Sequence, residues 1–359
     1  MHLLPLLLPL FALPTAYSWG AVGHEIVATI AQIHLHQPAQ QALQHLLPNS
    51  KGHLAPIASW ADRLRGLPYY SWSGELHYTS PLGDWPPSKC HFGDEGWKTT
   101  HDVLHAISNY TTRLSLDPSD VTSLKFLVHF IGDAHQPLHL TNRDRGGNDD
   151  RVRFEGRLMN LHSLWDGGFI TKSVREQSNY TEALPSRQIE SNLRGTIYDP
   201  YIRLLLWEGV RIWWRTSLPS WFICPSPLSL SSLSSSQLIL STAEDGEKLS
   251  SVVCPQTWAQ ETHKITCERT FPPSMGEEGE EHQVPELNTK EYYGPIRDGN
   301  IIEKLLVQGG LRLAATLNAI FEPEEDGEGV EGKGLLNFAW LEEAAAEGKQ
   351  SERRVVELA

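Results

Sequence analysis

Two histidine–aspartate pairs recur at one spacing. His129 and Asp133 stand four residues apart in LKFLVHFIGDAHQPLHL, and His162 and Asp166 stand four apart in NLHSLWD. On a helix, residues i and i+4 project from one face. A charge set into an apolar helix face is costly unless it is paired or bound to a metal ion. Imidazole with carboxylate is a ligand set suited to zinc, so each pair could act as a two-pronged clamp. A single pair would be as well explained by a surface or capping arrangement. Two pairs on apolar helices, with His139 between them, point to metal binding. Asp62 in SWADRLR and His77 in ELHY offer two further ligands of the same kind. The four cysteines, Cys90, Cys224, Cys254 and Cys267, lack the tight spacing of a zinc knuckle.

The elements that must carry these residues read as helices. Val22, Ile26, Ala28, Ile30, Ile33 and Leu35 crowd into an apolar stretch of a helical region over 19–47, which Pro38 interrupts. A second short helix is expected over Ile57–Arg65. Residues 66–100, rich in Gly, Pro, Trp and Tyr, read as an ordered loop. Helices follow at His101–Leu114 and Val121–Gln136. The latter is apolar almost all round, as a central buried helix would be, and Pro137 ends it. Residues 141–160 hold a hairpin with Arg151–Phe154 as one strand. Helices resume at 160–173, 199–215 and Asn300–Phe321. The expected fold class is all-α: a single compact multi-helix domain over 19–321 with one small β-hairpin. Residues 217–253 contain the Ser-rich run PSPLSLSSLSSSQ, which reads as a disordered insertion or a gene-model artefact. The Glu- and Gly-rich residues 322–359 read as a mobile acidic tail.

The chain has 359 residues and a formal net charge of −14. That balance argues against holding nucleic acid by a basic surface alone. Bound cations could supply positive charge locally. MHLLPLLLPLFALPTAYS has the form of a signal peptide, 1–18, with cleavage after Ser18. Its apolar run is short for a bilayer and broken by prolines, and no later segment is apolar enough to span one. Export would make Asn109 and Asn179, each in an Asn-Tyr-Thr triplet, glycosylation acceptors. It would also make Trp19 the first residue of the mature chain. The α-amine of Trp19, with an ordinary pKa near about 8, could then chelate an ion together with its own carbonyl, with His24 close by.

These residues carry a family resemblance. WGAVGHEIVATIA, SWADRLR, ELHYTS, LKFLVHFIGDAHQPLHL, RGGNDD, NLHSLWD and YYGPI…GGLRLAATLN together resemble the zinc-dependent single-strand-specific nucleases of fungi and plants, the S1/P1 type within the phospholipase C/nuclease superfamily. The resemblance implies three zinc ions. Asp62, His77, His129 and Asp133 would hold the first; His139, His162 and Asp166 the second; Trp19, His24 and Asp133 the third. His135 competes for the place of His139, and the match of the Gln-Pro-Leu-His run favours His139. Hydrolysis would depend on Asp62 and on Arg65, whose guanidinium would stabilise the phosphorane by charge-assisted hydrogen bonds. Gly146, Gly147 and Asn148 match a loop beside the base pocket, where Tyr78 would stack on an unpaired base. Ser80 stands where several members carry Asp behind the base pocket. The resemblance also implies a Cys90–Cys267 disulfide, and leaves Cys224 and Cys254 free to pair. The implied activity is a secreted endonuclease acting on single-stranded DNA and RNA and releasing 5′-phosphomononucleotides, with 3′-nucleotidase activity on 3′-nucleotides; a monomer is the favoured state, which the sequence leaves open. A zinc phospholipase C is the rival reading. Its family carries Glu at the place of Asp166 and a longer spacing from the N-terminal Trp to the histidine. His34, His36, His101 and His105 read as surface or core residues.

Overall fold

The computed structural model describes residues 19–225, 249, 251–276, 283–322 and 334–341. The leader expected over 1–18, nearly all of the Ser-rich run and most of the acidic tail lie outside those residues.

Seven helices frame the site: α1 (Ala21–Ile33), α2 (Gln37–Leu46), α3 (Trp60–Leu64), α4 (Val103–Leu116), α5 (Val121–Asp133), α6 (Pro255–Ile265) and α7 (Ile301–Phe321). Pro38 falls in the first turn of α2, where its missing N–H costs nothing. Asp102 caps α4 by accepting from the His105 N–H at 3.0 Å. Asp120 caps α5 by accepting from the Thr122 and Ser123 N–H groups. α5 is buried from Phe126 to Asp133 and stacks its Phe126 on Tyr110 of α4 and on its own Phe130. α7 packs against α1, α2, α4 and α5 and completes the core. The expected loop at 66–100 contains a ten-residue 3₁₀ segment, Pro68–His77, that ends on a candidate ligand. β1 (Arg151–Phe154) and β2 (Arg157–Asn160) form the expected antiparallel hairpin, with Arg151 opposite Asn160.

The mostly-α, single-domain expectation holds, but details differ: the helix expected over 199–215 is α over Asp199–Leu204 and π over Leu205–Trp213, and the segment expected as a disordered insertion is ordered at its edges, with Trp221 and Val253 buried. α5 ends at Asp133 rather than Gln136, because Ala134–Gln136 turn toward Pro137. The helix expected over 160–173 is built in three parts: Leu161–Ser163, a π turn over Leu164–Gly168, and Phe169–Glu176. The tail expected to be mobile contains a docked stretch at 334–341. There Trp340 is fully buried and donates from Nε1 to His34 Nε2 at 3.2 Å, and Asn337 N–H donates to the His34 carbonyl at 3.0 Å. Two disulfides are present, Cys90–Cys267 and Cys224–Cys254. No described helix is long and apolar enough to cross a membrane.

Candidate metal centre

Six structural elements deliver eight buried side chains to one place. α1 carries His24, α3 carries Asp62, the 3₁₀ segment carries His77, and α5 carries His129 and Asp133. The short turn Pro137–Leu140 carries His139, and the helix through the π turn carries His162 and Asp166. Asp133 lies at the centre. One of its oxygens is 3.4 Å from His24 Nε2 and 3.7 Å from His139 Nδ1. The other is 3.1 Å from His77 Nδ1 and 3.3 Å from His129 Nε2. Asp62 Oδ1 is 3.7 Å from His77 Nδ1 and 3.6 Å from His129 Nε2. Asp166 lies 3.3 Å from His162 Nε2 and 3.8 Å from His139 Nε2. Three groupings of metal-ligand type result: His24–His129–Asp133, Asp62–His77–His129 and His139–His162–Asp166.

Backbone carbonyls orient the rings. His129 Nδ1 meets the Ala58 carbonyl at 2.7 Å, His139 Nδ1 the His77 carbonyl at 2.6 Å, and His162 Nδ1 the Gly146 carbonyl at 2.7 Å. A carbonyl only accepts, so each Nδ1 carries a proton and each ring turns its Nε2 into the cluster, as a lone pair whenever the ring is neutral. Two glycines make room. A Cβ on Gly132 would lie 2.7 Å from His24 Nδ1. Gly146 has φ +65°, and a Cβ there would lie 2.5 Å from the Leu138 carbonyl.

The electrostatics call for cations. Burial holds His139 down to about 3 and His162 down to about 4. Burial also pushes the Asp166 carboxyl well above its ordinary range. His129 behaves oppositely. Burial opposes its protonation, yet Asp133 and Asp62 raise it to about 9. That pull on a proton is a pull on any cation.

The residues fit zinc. Both Asp62 oxygens, His139 Nε2 and Asp166 Oδ2 are buried without a hydrogen bond, a costly state in a protein interior. His162 Nε2 and Asp166 Oδ2 face each other as lone pairs, an arrangement a cation relieves. Ligand atoms about 2.0–2.1 Å from a tetrahedral zinc lie about 3.3 Å apart, close to the spacings above.

The cluster opens onto a cavity of 560 Å³ whose lining includes Arg65, Tyr78, Ser80, Lys98, Arg145 and Asn148. Arg65 is 21% exposed and reaches Asp62 Oδ1 at 3.6 Å, and Tyr78 is 41% exposed. Gly146 and Asn148 line the cavity, whereas Gly147 faces inward against Leu161 and Leu138. Asn148 Nδ2 already donates to the Arg145 carbonyl at 2.9 Å. Trp19 is buried beside Gly23, and the Gly20 N–H donates to the Asp166 carbonyl at 2.8 Å, which ties the start of the described chain to the site. His135 points elsewhere: its Nδ1 meets the Ile131 carbonyl and its Nε2 accepts from Arg312 at 2.9 Å. His101 bonds the Trp72 carbonyl and His105 bonds Asp102, both outside the cluster. A fourth grouping, Asp84–His263–Cys267, loses its sulfur to the Cys90 disulfide and is a hydrogen-bonded pair. Asn109 and Asn179 are both exposed. Sequence reasoning missed Gln136, which is fully buried and donates from Nε2 to Asp166 Oδ1. No periodicity marks a residue whose partner is thirty positions away.

Fold and site define a class: a mostly helical protein built round a buried imidazole–carboxylate cluster that opens to solvent through a cavity. Within that class, the chain belongs to the S1/P1 nuclease family, whose model, described as S1/P1 Nuclease, matches residues 19–215. It is similar to Endonuclease 2 of Arabidopsis thaliana, 30% identical over 332 residues that cover 87% of this chain and 93% of that protein. It is also similar to Nuclease P1 of Penicillium citrinum, 41% identical over 315 residues covering 85% and 99% of the two chains. Nuclease S1 of Aspergillus oryzae is 37% identical over 173 residues, covering 45% of this chain and 60% of that protein. The protein is a nuclease, a hydrolase of the family the motifs resemble.

Proposed function

We propose that this nuclease is a secreted, three-zinc endonuclease that cleaves single-stranded DNA and RNA to 5′-phosphomononucleotides and also removes 3′-phosphates from nucleotides. The observation that carries the reading is the set of buried, unpartnered oxygen and nitrogen atoms on Asp62, His139 and Asp166, beside a cavity edged by Arg65. Asp62, His77, His129 and Asp133 would hold one ion, His139, His162 and Asp166 a second, and Trp19, His24 and Asp133 a third. Zinc supplies a nucleophile from water at neutral pH and Lewis-acid stabilisation of a leaving oxygen.

The chain's own groups do the rest. Arg65 stands at the cavity edge, where its guanidinium can donate to a phosphate oxygen. Tyr78 presents an exposed ring for stacking on a base that is free of a partner strand. The polar lining that includes Ser80, Lys98 and Asn148 offers donors and acceptors to a base edge. A duplex hides the base face that Tyr78 would use, which is why single strands are the expected substrate.

The test uses protein secreted by a eukaryotic host, with Trp19 confirmed as its first residue. Release of 5′-mononucleotides from single-stranded DNA is measured before and after chelation and zinc restoration, with bound zinc counted per chain. Activity lost with chelator, restored by zinc and accompanied by about three ions supports the reading. Asp62→Asn should lower turnover by at least about 100-fold, the scale on which lost metal support acts. Unchanged turnover in that variant would sink the mechanism. Full zinc with hydrolysis of phosphatidylcholine and none of DNA would favour a phospholipase.

A further inference from the structure

Gln136 lies fully buried in the turn between α5 and Pro137. Its Oε1 accepts the Leu138 N–H at 2.5 Å. Only an oxygen can meet a backbone N–H, so the orientation of the amide is fixed. The Nε2 end therefore faces Asp166 and donates to Oδ1. Asp166 Oδ2 has no hydrogen bond and lies 3.3 Å from His162 Nε2. The two oxygens of one carboxylate thus have different surroundings: Oδ1 takes the Gln136 amide and lies 3.8 Å from His139 Nε2, whereas Oδ2 takes no hydrogen bond and lies nearest to His162 Nε2. The backbone of Gln136 also touches two other cluster residues, donating to the Asp133 carbonyl at 3.0 Å and accepting from the His139 N–H at 3.1 Å. Any residue in this turn would make those backbone bonds. The link to Asp166 belongs to the glutamine side chain alone.

We infer that Gln136 is a positioning residue: it occupies one oxygen of Asp166, so that Asp166 serves through its other oxygen as a single-oxygen ligand of the ion shared with His139 and His162. The inference rests on the zinc reading above. A carboxylate free at both oxygens could rotate or chelate with both, changing the number and direction of ligands at that ion. The amide removes that freedom, as hydrogen bonds to metal-bound carboxylates generally do. It also links the turn that ends α5 to the π turn that carries Asp166.

Gln136→Glu is the sharper variant, because its carboxylate keeps an acceptor for the Leu138 N–H and replaces the donor to Asp166 with a second, repelling carboxylate oxygen. Gln136→Met removes both while keeping the length of the side chain. Zinc affinities of the folded variants are measured by chelator competition against the wild type. The expected result is a 10–100-fold loss for one ion, about the cost of deleting an outer support, with the other ions unchanged and the Glu variant weaker than the Met variant. Unaltered affinity in both variants, or equal weakening of every ion, would overturn the inference. A measurement on wild type guards against variants that fail to fold. The Gln136 side-chain amide resonance should shift in the zinc titration step that loads this ion and not in the others, and a resonance unmoved throughout would also overturn it. Wild-type protein that takes up no zinc would overturn the zinc reading as well, whereas zinc-loaded wild type with indifferent variants defeats this inference alone.

Discussion

Gly132 shows how a residue without a side chain can define a site. In a helix interior, Gly→Ala ordinarily gains about 0.5–1 kcal/mol. Here the new Cβ would lie 2.7 Å from His24 Nδ1, on a ring packed 3.9 Å from that of His129. Gly132→Ala should therefore destabilise the metal-free protein, by about 1–3 kcal/mol if the ring cannot move aside, and should weaken zinc binding. Denaturant unfolding of the metal-free variant checks the sign, and a gain in stability would refute the packing argument. The candidate ligands were legible in the sequence because metal binding restricts residue type and helices restrict spacing: His129 with Asp133 and His162 with Asp166 meet both demands. Gln136, Gly132 and Gly146 were not legible as supports. Their partners, Asp166, His24 and His162, come from other elements, and nothing local records that meeting.

At the scale of elements, α5 and α7 announce themselves by long apolar patterns, and the hairpin by the alternation of Arg151–Phe154. α6 does not. Its buried face includes Trp258, Ala259, Thr262 and His263, half of it polar, so no apolar stripe marks it. The docked stretch at 334–341 was hidden by its acidic surroundings, because its few apolar anchors, Leu336, Phe338 and Trp340, form no long periodic stripe. His34 receives Trp340. Its Nδ1 meets the Ile30 carbonyl at 2.7 Å and its Nε2 accepts from Trp340, so the ring is neutral and has no room for a second proton. Burial lowers it from 6.5 to about 4. A depressed histidine contributes stability that is present above its unfolded value and lost as pH falls from about 6.5 toward 4. Compared with His34→Gln, the wild type should lose about 2 kcal/mol more between pH 7 and pH 5. Parallel stability curves for the two proteins would show that His34 titrates freely in the fold.

For the whole molecule, a charge of −14 sets the terms of substrate binding. A protein that neutralises six to ten phosphates with Lys and Arg loses about 10³–10⁵ in affinity between 50 and 200 mM salt. This cavity is lined by few cations, Arg65, Lys98 and Arg145, and by the acidic Glu75. With zinc saturating, the KM for a single-stranded oligonucleotide should change by no more than about 20-fold over that range. A steep rise in KM would mean that a basic track outside the cavity carries the strand. The two disulfides have a consequence for cleavage of the chain. Both bridges, Cys90–Cys267 and Cys224–Cys254, join residues on opposite sides of the Ser-rich run. A protease that cut within that run would therefore produce two polypeptides still bound through sulfur, a molecule of unchanged mass on a non-reducing gel and two bands on a reducing one. All the candidate ligands lie on the N-terminal piece, and α7, which closes the core behind them, would stay tethered on the other.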